Sequence, residues 1–398
     1  MDVVDFYERY PYPRPVESLD EYRLRWQDRD RRRAEYHLHW PANAYREDHS
    51  ILIAGCGTSQ AAKHAMRWPA ARVVGIDFSA TSVDRTLQLK QRHGLDNLQV
   101  HQLAIERVEA LQQRFDWIVC TGVLHHLPDP DAGLAALRRV LDRDGAMQLM
   151  LYAPYGRAGI YMLQEFCQRI GIRATDDEIH KLIAALTLLP RGHPLENLLR
   201  QAPDFRQEAA LADALLHPQD RAYTVPQVFD FIARAGLTFG RWVRQAPYSA
   251  YCGAPARIPQ ADRLRQLSPA GQFAAIELFR GTMLRHSFIA YGNDHAGSPQ
   301  PIGFDDDAWP DYVPIPVADT IRVEDDLPAG AAAALINRTH TYSDLVLPIS
   351  AQEVGMLDAI DGRRSIAEIA SDDANLGIAR ALFQRLWRYD QILFDASR

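Results

Sequence analysis

The chain has 398 residues, of which 47% are hydrophobic, and this is enough to build two or three domains with substantial apolar cores. Such a composition excludes disorder along the whole chain. The formal net charge of -7 lacks the basic excess that attracts proteins to nucleic acid or to anionic membranes, so we expect neither as a partner.

The N-terminal sequence from Met1 to Glu8 lacks the basic and apolar segments of a secretory signal. No apolar run approaches the roughly 18 residues of a membrane-spanning helix. We therefore expect a soluble, cytoplasmic protein. The four cysteines are far apart and have no zinc-binding spacing, so they are expected to be reduced and buried: Cys56, Cys120, Cys167 and Cys252.

Residues 1–45 begin with an aromatic, proline-rich segment that contains Tyr7 and Tyr10. Its prolines prevent a continuous helix and favour an extended arm. The following sequence, 21–40, is strongly charged and predicts a helix. We interpret its arginines as a solvated face rather than a phosphate-binding surface.

Residues 46–154 alternate between short apolar runs and helical patterns. Strands are predicted at 51–54, 72–76, 98–101, 117–121 and 146–152, with helices at 60–68, 80–93, 106–112 and 131–141 between them. Parallel strands need crossover connections of this kind. The sequence therefore predicts an α/β fold with a parallel sheet covered by helices.

The alternation stops at residues 155–222, which read as helices interrupted by prolines. It resumes in residues 223–293, where Thr224 is a plausible helix N-cap and strands are predicted at 237–243 and 287–291. The simplest interpretation is a helical insertion after the fifth strand, followed by two strands that complete the same sheet.

Residues 294–316 are rich in Pro, Gly and Asp and are predicted to be a linker. In residues 317–398, helices are predicted at 352–360, 366–370 and 378–389, with a final strand at 392–394. This order resembles a winged-helix module. Its basic residues are balanced by acidic ones, which favours partner binding or homodimerisation over DNA recognition.

The most informative stretch is the turn that contains Gly55 and Gly57, after the first predicted strand. A dinucleotide fingerprint requires a third glycine, but Gln60 occupies that place, and no phosphate-binding loop sequence is present. Asp77 follows Gly57 by 20 residues and ends the second predicted strand. A carboxylate at this point suits the two hydroxyls of a ribose.

Four separated segments of the sequence are informative when taken together: residues 51–59, 74–79 and 115–129, and the expected glycine turn at Asp144 and Gly145. In this order and spacing they resemble the class I S-adenosylmethionine (SAM)-dependent methyltransferases. The resemblance covers residues 48–152 strongly and 224–293 more weakly. It implies a Rossmann-like methyltransferase sheet with helices on both faces, SAM as the cofactor, and transfer of a methyl group.

The resemblance also implies roles for individual residues. The glycine turn would approach the methionyl part of SAM, Asp77 would bind the ribose, and Phe78 would pack on the adenine. Family members often have an Asp after the third strand, but this chain has Leu103 to Glu106 there, so backbone groups would serve instead. The expected cofactor-binding residues are Gly55, Cys56, Gly57, Asp77, Phe78, Ala104, Ile105, Thr121 and Gly122.

Methyl transfer from a sulfonium requires an aligned acceptor, and it requires a base only when the acceptor arrives protonated. The candidates for such a catalytic role are His125, His126 and Tyr152, although both histidines also suit a packing role in the turn.

The candidates for acceptor binding lie outside the predicted core strands. Arg157 suits either an acceptor carboxylate or an intraprotein salt bridge, and Tyr155 lies beside it in the sequence. In this family an N-terminal arm often forms a lid, which would place Tyr7 and Tyr10 over the acceptor. Packing of the arm on the surface, without ligand contact, is the alternative. No metal is expected, because His180, His193 and His217 lack a metal-binding spacing.

Three functions remain in competition. The favoured one is a SAM-dependent methyltransferase acting on an N or O acceptor, with the C-terminal module favouring a peptide or protein side chain over a small metabolite. The second is a catalytically silent SAM-binding protein with a regulatory or interaction role. A dinucleotide oxidoreductase is disfavoured by Gln60.

Overall fold

The structure is a computed structural model and describes residues 16–196, 208–294 and 302–398. The predicted aromatic arm with Tyr7 and Tyr10 lies outside these residues. The chain divides into two compact units. The first comprises residues 1–23, 48–238 and 280–293, and the second comprises residues 24–47, 239–279 and 294–398.

The chain forms a seven-stranded sheet with the strand order β3-β2-β1-β4-β5-β7-β6, and all of it except most of the edge strand β6 belongs to the first unit. Its strands are β1 (Ser50–Ala54), β2 (Arg72–Asp77), β3 (Leu98–Gln102), β4 (Phe115–Thr121), β5 (Leu141–Tyr152), β6 (Leu237–Trp242) and β7 (Arg285–Gly292). Strands β1 to β5 run parallel to one another, whereas β7 is antiparallel to β5. The predicted fold class is thus confirmed, including the return of the last two strands to the same sheet.

Helices connect these strands much as the sequence predicts. They are α3 (Gln60–Arg67), α4 (Ala80–His93), α5 (Pro130–Val140) and α9 (Val225–Arg234), and the predicted segment at 106–112 is a 3₁₀ helix, Ile105–Leu111. Thr224 caps α9 through a reciprocal capping box with Gln227. Residues 51–54 and 73–77 are buried. Both faces of a parallel sheet are covered by helices, which explains the nearly continuous apolar sequence of β1 and β2.

The expected glycine turn at Asp144 and Gly145 is wrong. Strand β5 already begins at Leu141, and these residues lie in an irregularity where Phe115 pairs with Leu141 but Trp117 pairs with Ala146. Glycine is required at position 145 because the backbone of β4 lies very close to it: a Cβ there would be 2.9 Å from the Asp116 carbonyl oxygen.

The insertion contains α6 (Ala158–Ile170), α7 (Asp176–Leu186) and α8 (Glu208–Leu216). These helices bury their own apolar cluster, which includes Ile160, Leu163, Ile179, Leu182 and Leu211. Helix α7 begins at the N-cap Thr175, whose hydroxyl accepts from the Glu178 N–H. The insertion is therefore a small packed layer of helices, as its sequence indicates.

At the N-terminal end, the predicted helix is two helices, α1 (Asp20–Trp26) and α2 (Arg29–His39), separated where Asp28 caps α2. Helix α2 packs on the C-terminal strands β8 (Val313–Pro316) and β12 (Ile392–Asp395). Its buried side chains include Ala34, Tyr36 and Leu38. The lid role of residues 1–45 stays a prediction, and for α2 the structure shows an apolar face packed within the second unit.

The remainder of the second unit contains β9 (Thr320–Val323), β10 (Ala333–Asn337), β11 (Val346–Ile349), α10 (Ala261–Arg265), α11 (Pro269–Arg280), α12 (Ala351–Asp358), α13 (Ile366–Ala370) and α14 (Asp373–Arg388). The three predicted C-terminal helices and the final strand are present. Strands β8, β9, β10 and β11 are not predicted from the sequence, and β8 falls within the predicted linker. It pairs with β12, and Ile302 and Phe304 of the same stretch are buried in the apolar cluster of this unit. The likeness to a winged helix stays a prediction.

Candidate functional site

The glycine turn after β1 has the backbone conformation that its sequence suggests. Gly55 and Gly57 have φ angles of 68° and 53°, a region that glycine adopts without a side-chain penalty. A Cβ on Gly55 would also lie 2.4 Å from Cγ2 of Val123. The turn therefore packs directly against the segment that follows β4.

Asp77 holds this turn in place from the end of β2. Its carboxylate accepts hydrogen bonds from the Gly57 N–H at 2.8 Å and from the Ser79 N–H at 3.0 Å. Only 8% of Asp77 is exposed. The Thr86 hydroxyl donates to the Gly57 carbonyl at 2.9 Å. A carboxylate has about four acceptor positions, so a single carboxylate can accept several hydrogen bonds at once.

The other predicted cofactor residues follow the carboxyl ends of neighbouring parallel strands. Phe78 follows β2, Ala104 and Ile105 follow β3, and Thr121 and Gly122 end or follow β4. In open α/β sheets this edge is where ligands bind. The strand order thus places these residues along one edge, next to the glycine turn.

Cysteine chemistry plays no part in this arrangement. All four cysteines are free and buried, as predicted. Burial raises the pKa of the Cys120 thiol to about 12 and raises the pKa of the Cys56 thiol as well. Both thiols stay protonated near neutral pH, so neither is a nucleophile.

His125 lies in a 3₁₀ turn after β4 and is 1% exposed. Its ring centroid is 4.0 Å from that of Tyr152 and 4.2 Å from that of His126. Neither ring nitrogen has a hydrogen-bond partner among the described residues. Burial, together with His126, Arg157 and His217, holds the pKa of His125 well below its usual value. The site therefore contains a neutral imidazole.

Tyr152 is packed between His125 and the Arg157 guanidinium, whose central carbon is 3.5 Å from the tyrosine ring centroid. Arg157 also forms a buried ion pair with Asp220 at 3.1 Å, and Gln164 donates to the same carboxylate oxygen at 3.1 Å. Of the two alternatives for Arg157, the structure has the intraprotein pair. Tyr155, the other acceptor candidate of this segment, is 40% exposed.

A further group of buried polar residues joins the core sheet to the insertion. His126, Asp213 and His217 each offer one ligand-type atom, and these three atoms lie within 4.8 Å of one another. The Nδ1–H of His126 donates to the Gln219 carbonyl at 2.8 Å. Burial lowers the pKa of His126 to about 4 and that of His217 to about 3. Both imidazoles are neutral near pH 7.

Neither Asp213 nor Asp220 is predicted as a site residue from the sequence, and His217 is expected not to bind a metal because it lacks metal-like spacing. Asp213 and His217 are four residues apart at the end of α8, a spacing that places side chains on one face of a helix. That local signal was available from the sequence. Their proximity to His126 depends on the fold of the insertion and was not.

In the described parts of the chain, no helix is both long enough and apolar enough to cross a membrane. Comparisons with known proteins agree with the site geometry. Residues 51–145 match a family model described as a methyltransferase domain. This range runs from the glycine turn through the histidine turn to the start of β5.

Among curated proteins, an uncharacterised protein of Synechococcus sp. is 32% identical over 252 residues, covering 60% of this chain and 59% of that protein. A ubiquinone biosynthesis O-methyltransferase of Alkalilimnicola ehrlichii is 31% identical over 103 residues, covering 25% of this chain and 40% of that enzyme. The chain thus spans less than two thirds of the length of these relatives.

Among solved structures, PKMT2 from Rickettsia typhi in complex with AdoHcy has a TM-score of 0.64 and 14% sequence identity. The match covers 93% of this chain and 75% of that chain. At this identity the likeness concerns the fold. It extends well beyond the 95 or so residues of the family match, so it includes parts of both the insertion and the C-terminal region.

Proposed function

Because residues 51–145 match a methyltransferase domain, we propose that the chain is a class I SAM-dependent enzyme that transfers a methyl group from SAM to an N or O acceptor. The observation that carries this proposal is the Asp77 carboxylate at the end of β2, which accepts a hydrogen bond from the Gly57 N–H at 2.8 Å. The acid proposed to bind the ribose thus lies directly against the glycine turn proposed to bind the methionyl part.

In this proposal SAM lies along the carboxyl edge of the sheet. Backbone groups of Gly55, Cys56 and Gly57 bind the methionyl part. Asp77 accepts from the ribose hydroxyls, and half-buried Phe78 packs on the adenine. Backbone at Ala104 and Ile105 binds the adenine edge, and Thr121 and Gly122 line the place where the methyl group leaves.

For the transfer step we assign the acceptor-facing role to His125. Its two unpartnered ring nitrogens and its neutral state allow it to accept a hydrogen bond from an acceptor N–H or O–H. Such a bond orients the acceptor lone pair toward the methyl carbon. Alignment of this kind supplies roughly 7–11 kcal/mol of the barrier reduction. Tyr152 packs against His125, while the Nδ1–H of His126 already donates to the Gln219 carbonyl.

We propose a peptide or protein side chain as the acceptor class. Support comes from the C-terminal region, where β8–β12 and α12–α14 form a folded module with its own apolar cluster, outside the residues proposed to bind SAM. Tyr155, which is exposed at the start of the insertion, is positioned for acceptor contact without disrupting the core. A small metabolite remains the alternative acceptor.

The test is transfer of label from methyl-labelled SAM in a heat-treated lysate of the protein's own cells, with Asp77→Ala as the background control. Label in the protein fraction supports the polypeptide acceptor. Label confined to small molecules contradicts that acceptor class but supports methyl transfer. SAM binding without any transfer, repeated with freshly prepared unheated lysate, would contradict the enzyme assignment and favour a catalytically silent protein.

A further inference from the structure

The buried group formed by His126, Asp213 and His217 contains two imidazoles and one carboxylate. His126 comes from the turn after β4, whereas Asp213 and His217 come from the end of α8 and the residue that follows it. Their exposed fractions are 5%, 5% and 8%. Three ligand-type side chains from two distant parts of the sequence thus meet in the interior of the first unit.

We propose that this group is a binding site for a divalent transition-metal cation. The ligand-type atoms lie within 4.8 Å of one another. Zinc bonds to nitrogen and oxygen are about 2.0–2.2 Å long, so side-chain movements of roughly 1 Å bring all three atoms onto one ion. The site is distinct from the cofactor site and does not depend on the proposed methyl transfer.

The donor set determines the class of cation. Two imidazoles and a carboxylate suit Zn²⁺, Fe²⁺ or Co²⁺, and such three-ligand sites leave coordination positions open. Mg²⁺ and Ca²⁺ prefer oxygen ligands and fit this set poorly. The donor set therefore favours a first-row transition-metal ion of intermediate softness.

His126 is already oriented as metal-binding histidines usually are. Its Nδ1–H donates to the Gln219 carbonyl at 2.8 Å, which leaves the lone pair on Nε2. Hydrogen bonds of this type fix the tautomer and the ring orientation of metal ligands. No change of protonation is needed at this residue.

His217 requires one local rearrangement. Its Nδ1 accepts from the Gln219 N–H at 3.0 Å, so the neutral ring carries its proton on Nε2. A cation bound at Nε2 replaces that proton, and the ring then carries its proton on Nδ1. The contact from the Gln219 N–H must lengthen as a result, and this change provides a specific spectroscopic signature.

The neighbouring charged side chains, Arg157 and Asp220, pair with each other at 3.1 Å, and Gln164 donates to the same oxygen of Asp220. The guanidinium is thereby engaged by a carboxylate other than Asp213. Gln219 links both imidazoles through its backbone, so a single short segment positions two of the three ligands.

The experiment uses the full chain after treatment with a chelator, titrated with Co²⁺ alone while the visible ligand-field absorption is recorded. We expect one Co²⁺ to bind per chain, with absorption bands typical of nitrogen ligands. In Asp213→Asn and in His217→Ala the affinity for Co²⁺ should fall by about tenfold to a hundredfold. The matched control is His180→Ala, which removes a histidine with a 63% exposed side chain from the same insertion and should leave Co²⁺ binding unchanged.

Circular dichroism and thermal melting establish whether each variant is folded. If His217→Ala does not fold, Asp213→Asn still provides the test, because it preserves the shape of the side chain. With ¹⁵N-labelled histidine and diamagnetic Zn²⁺, the His217 ring proton should move from Nε2 to Nδ1 while His126 keeps its Nδ1–H. Absence of Co²⁺ binding, equal binding by Asp213→Asn and wild type, or an unchanged His217 tautomer on Zn²⁺ addition would each overturn the proposal.

Discussion

The Asp77 carboxylate accepts a hydrogen bond from the Gly57 N–H at 2.8 Å, which joins the end of β2 to the glycine turn after β1. The same carboxylate accepts from the Ser79 N–H at 3.0 Å, next to the start of α4. One side chain therefore shapes the turn at the position proposed to bind the ribose. Changing it should affect ligand binding more than any exposed acid nearby.

Replacing Asp77 with Ala should weaken the binding of SAM and of its demethylated product together. Hydrogen bonds to charged groups contribute about 1.5–3 kcal/mol, so losses of roughly 10-fold to 150-fold are expected. Isothermal titration calorimetry measures both affinities. Asp96→Ala, at an exposed position in the turn after α4, is the matched control. If Asp77→Ala binds SAM as wild type does, the cofactor-site assignment is wrong.

Replacing Gly55 with Ala should destabilise the first unit for two reasons. The φ angle of 68° strains any L side chain, and the new Cβ would lie 2.4 Å from Val123. The expected loss is roughly 2–4 kcal/mol, from backbone strain together with overpacking. Urea unfolding followed by tryptophan fluorescence measures it. Gly171→Ala has a similar φ of 75° but nothing within 4 Å of the new Cβ, so it isolates the strain. Equal losses in both variants would contradict the packing argument.

The glycine turn also illustrates how much the sequence alone predicts. The β-branched strands, the paired glycines and Asp77 are local signals, and the structure has each element where they indicate. Strands β8 to β11 are only four or five residues long. Their pairing depends on partners elsewhere in the chain, such as Ile392 opposite Pro316. The carboxylates of the insertion were missed for a related reason, because only the fold brings Asp220 to Arg157.

Replacing Asp220 with Ala should destabilise the protein strongly, because it leaves the buried Arg157 guanidinium without its carboxylate. Side-chain exposures of 7% and 2% place this pair in the interior. Breaking a buried pair costs about 3–5 kcal/mol, whereas an exposed helical pair contributes roughly 0.3–0.5 kcal/mol. Glu165→Ala, which breaks the exposed pair with Arg169, is the control. Chemical denaturation compares the two, and similar small losses would show that the Arg157 pair is not structurally important.

The second unit should lose stability as the pH falls below about 6.5, in part through His37. Burial lowers the pKa of His37, with Asp395 opposing the shift and Arg33 adding to it. The unfolded chain therefore binds this proton at a higher pH than the folded chain does. The contribution is fully present above the unfolded pKa and is lost as the pH falls toward the lower folded pKa.

Thermal melts between pH 7 and pH 5 test this expectation. His37→Gln should reduce the slope of melting temperature against pH, since it removes one titrating group with a lowered folded pKa. His101→Gln, at an exposed position on β3, serves as the control and should follow the wild-type slope. An unchanged slope in His37→Gln would mean that other groups determine the acid sensitivity of this unit.

Replacing His125 with Phe should separate cofactor binding from transfer. The aromatic ring keeps the contact with Tyr152, whose centroid is 4.0 Å away, but it cannot accept a hydrogen bond from the acceptor. Misplacing a reacting group by about 1 Å can slow a reaction about a hundredfold, so label transfer from SAM should fall by about a hundredfold. SAM affinity should stay within about twofold of wild type, because none of the proposed cofactor contacts involves this ring.

His125→Gln, which restores an acceptor atom, should recover part of the lost rate. Transfer at the wild-type rate in His125→Phe would restrict this residue to packing in the turn after β4, and the acceptor lone pair would then have to be oriented by another group, with Tyr152 the next to be replaced.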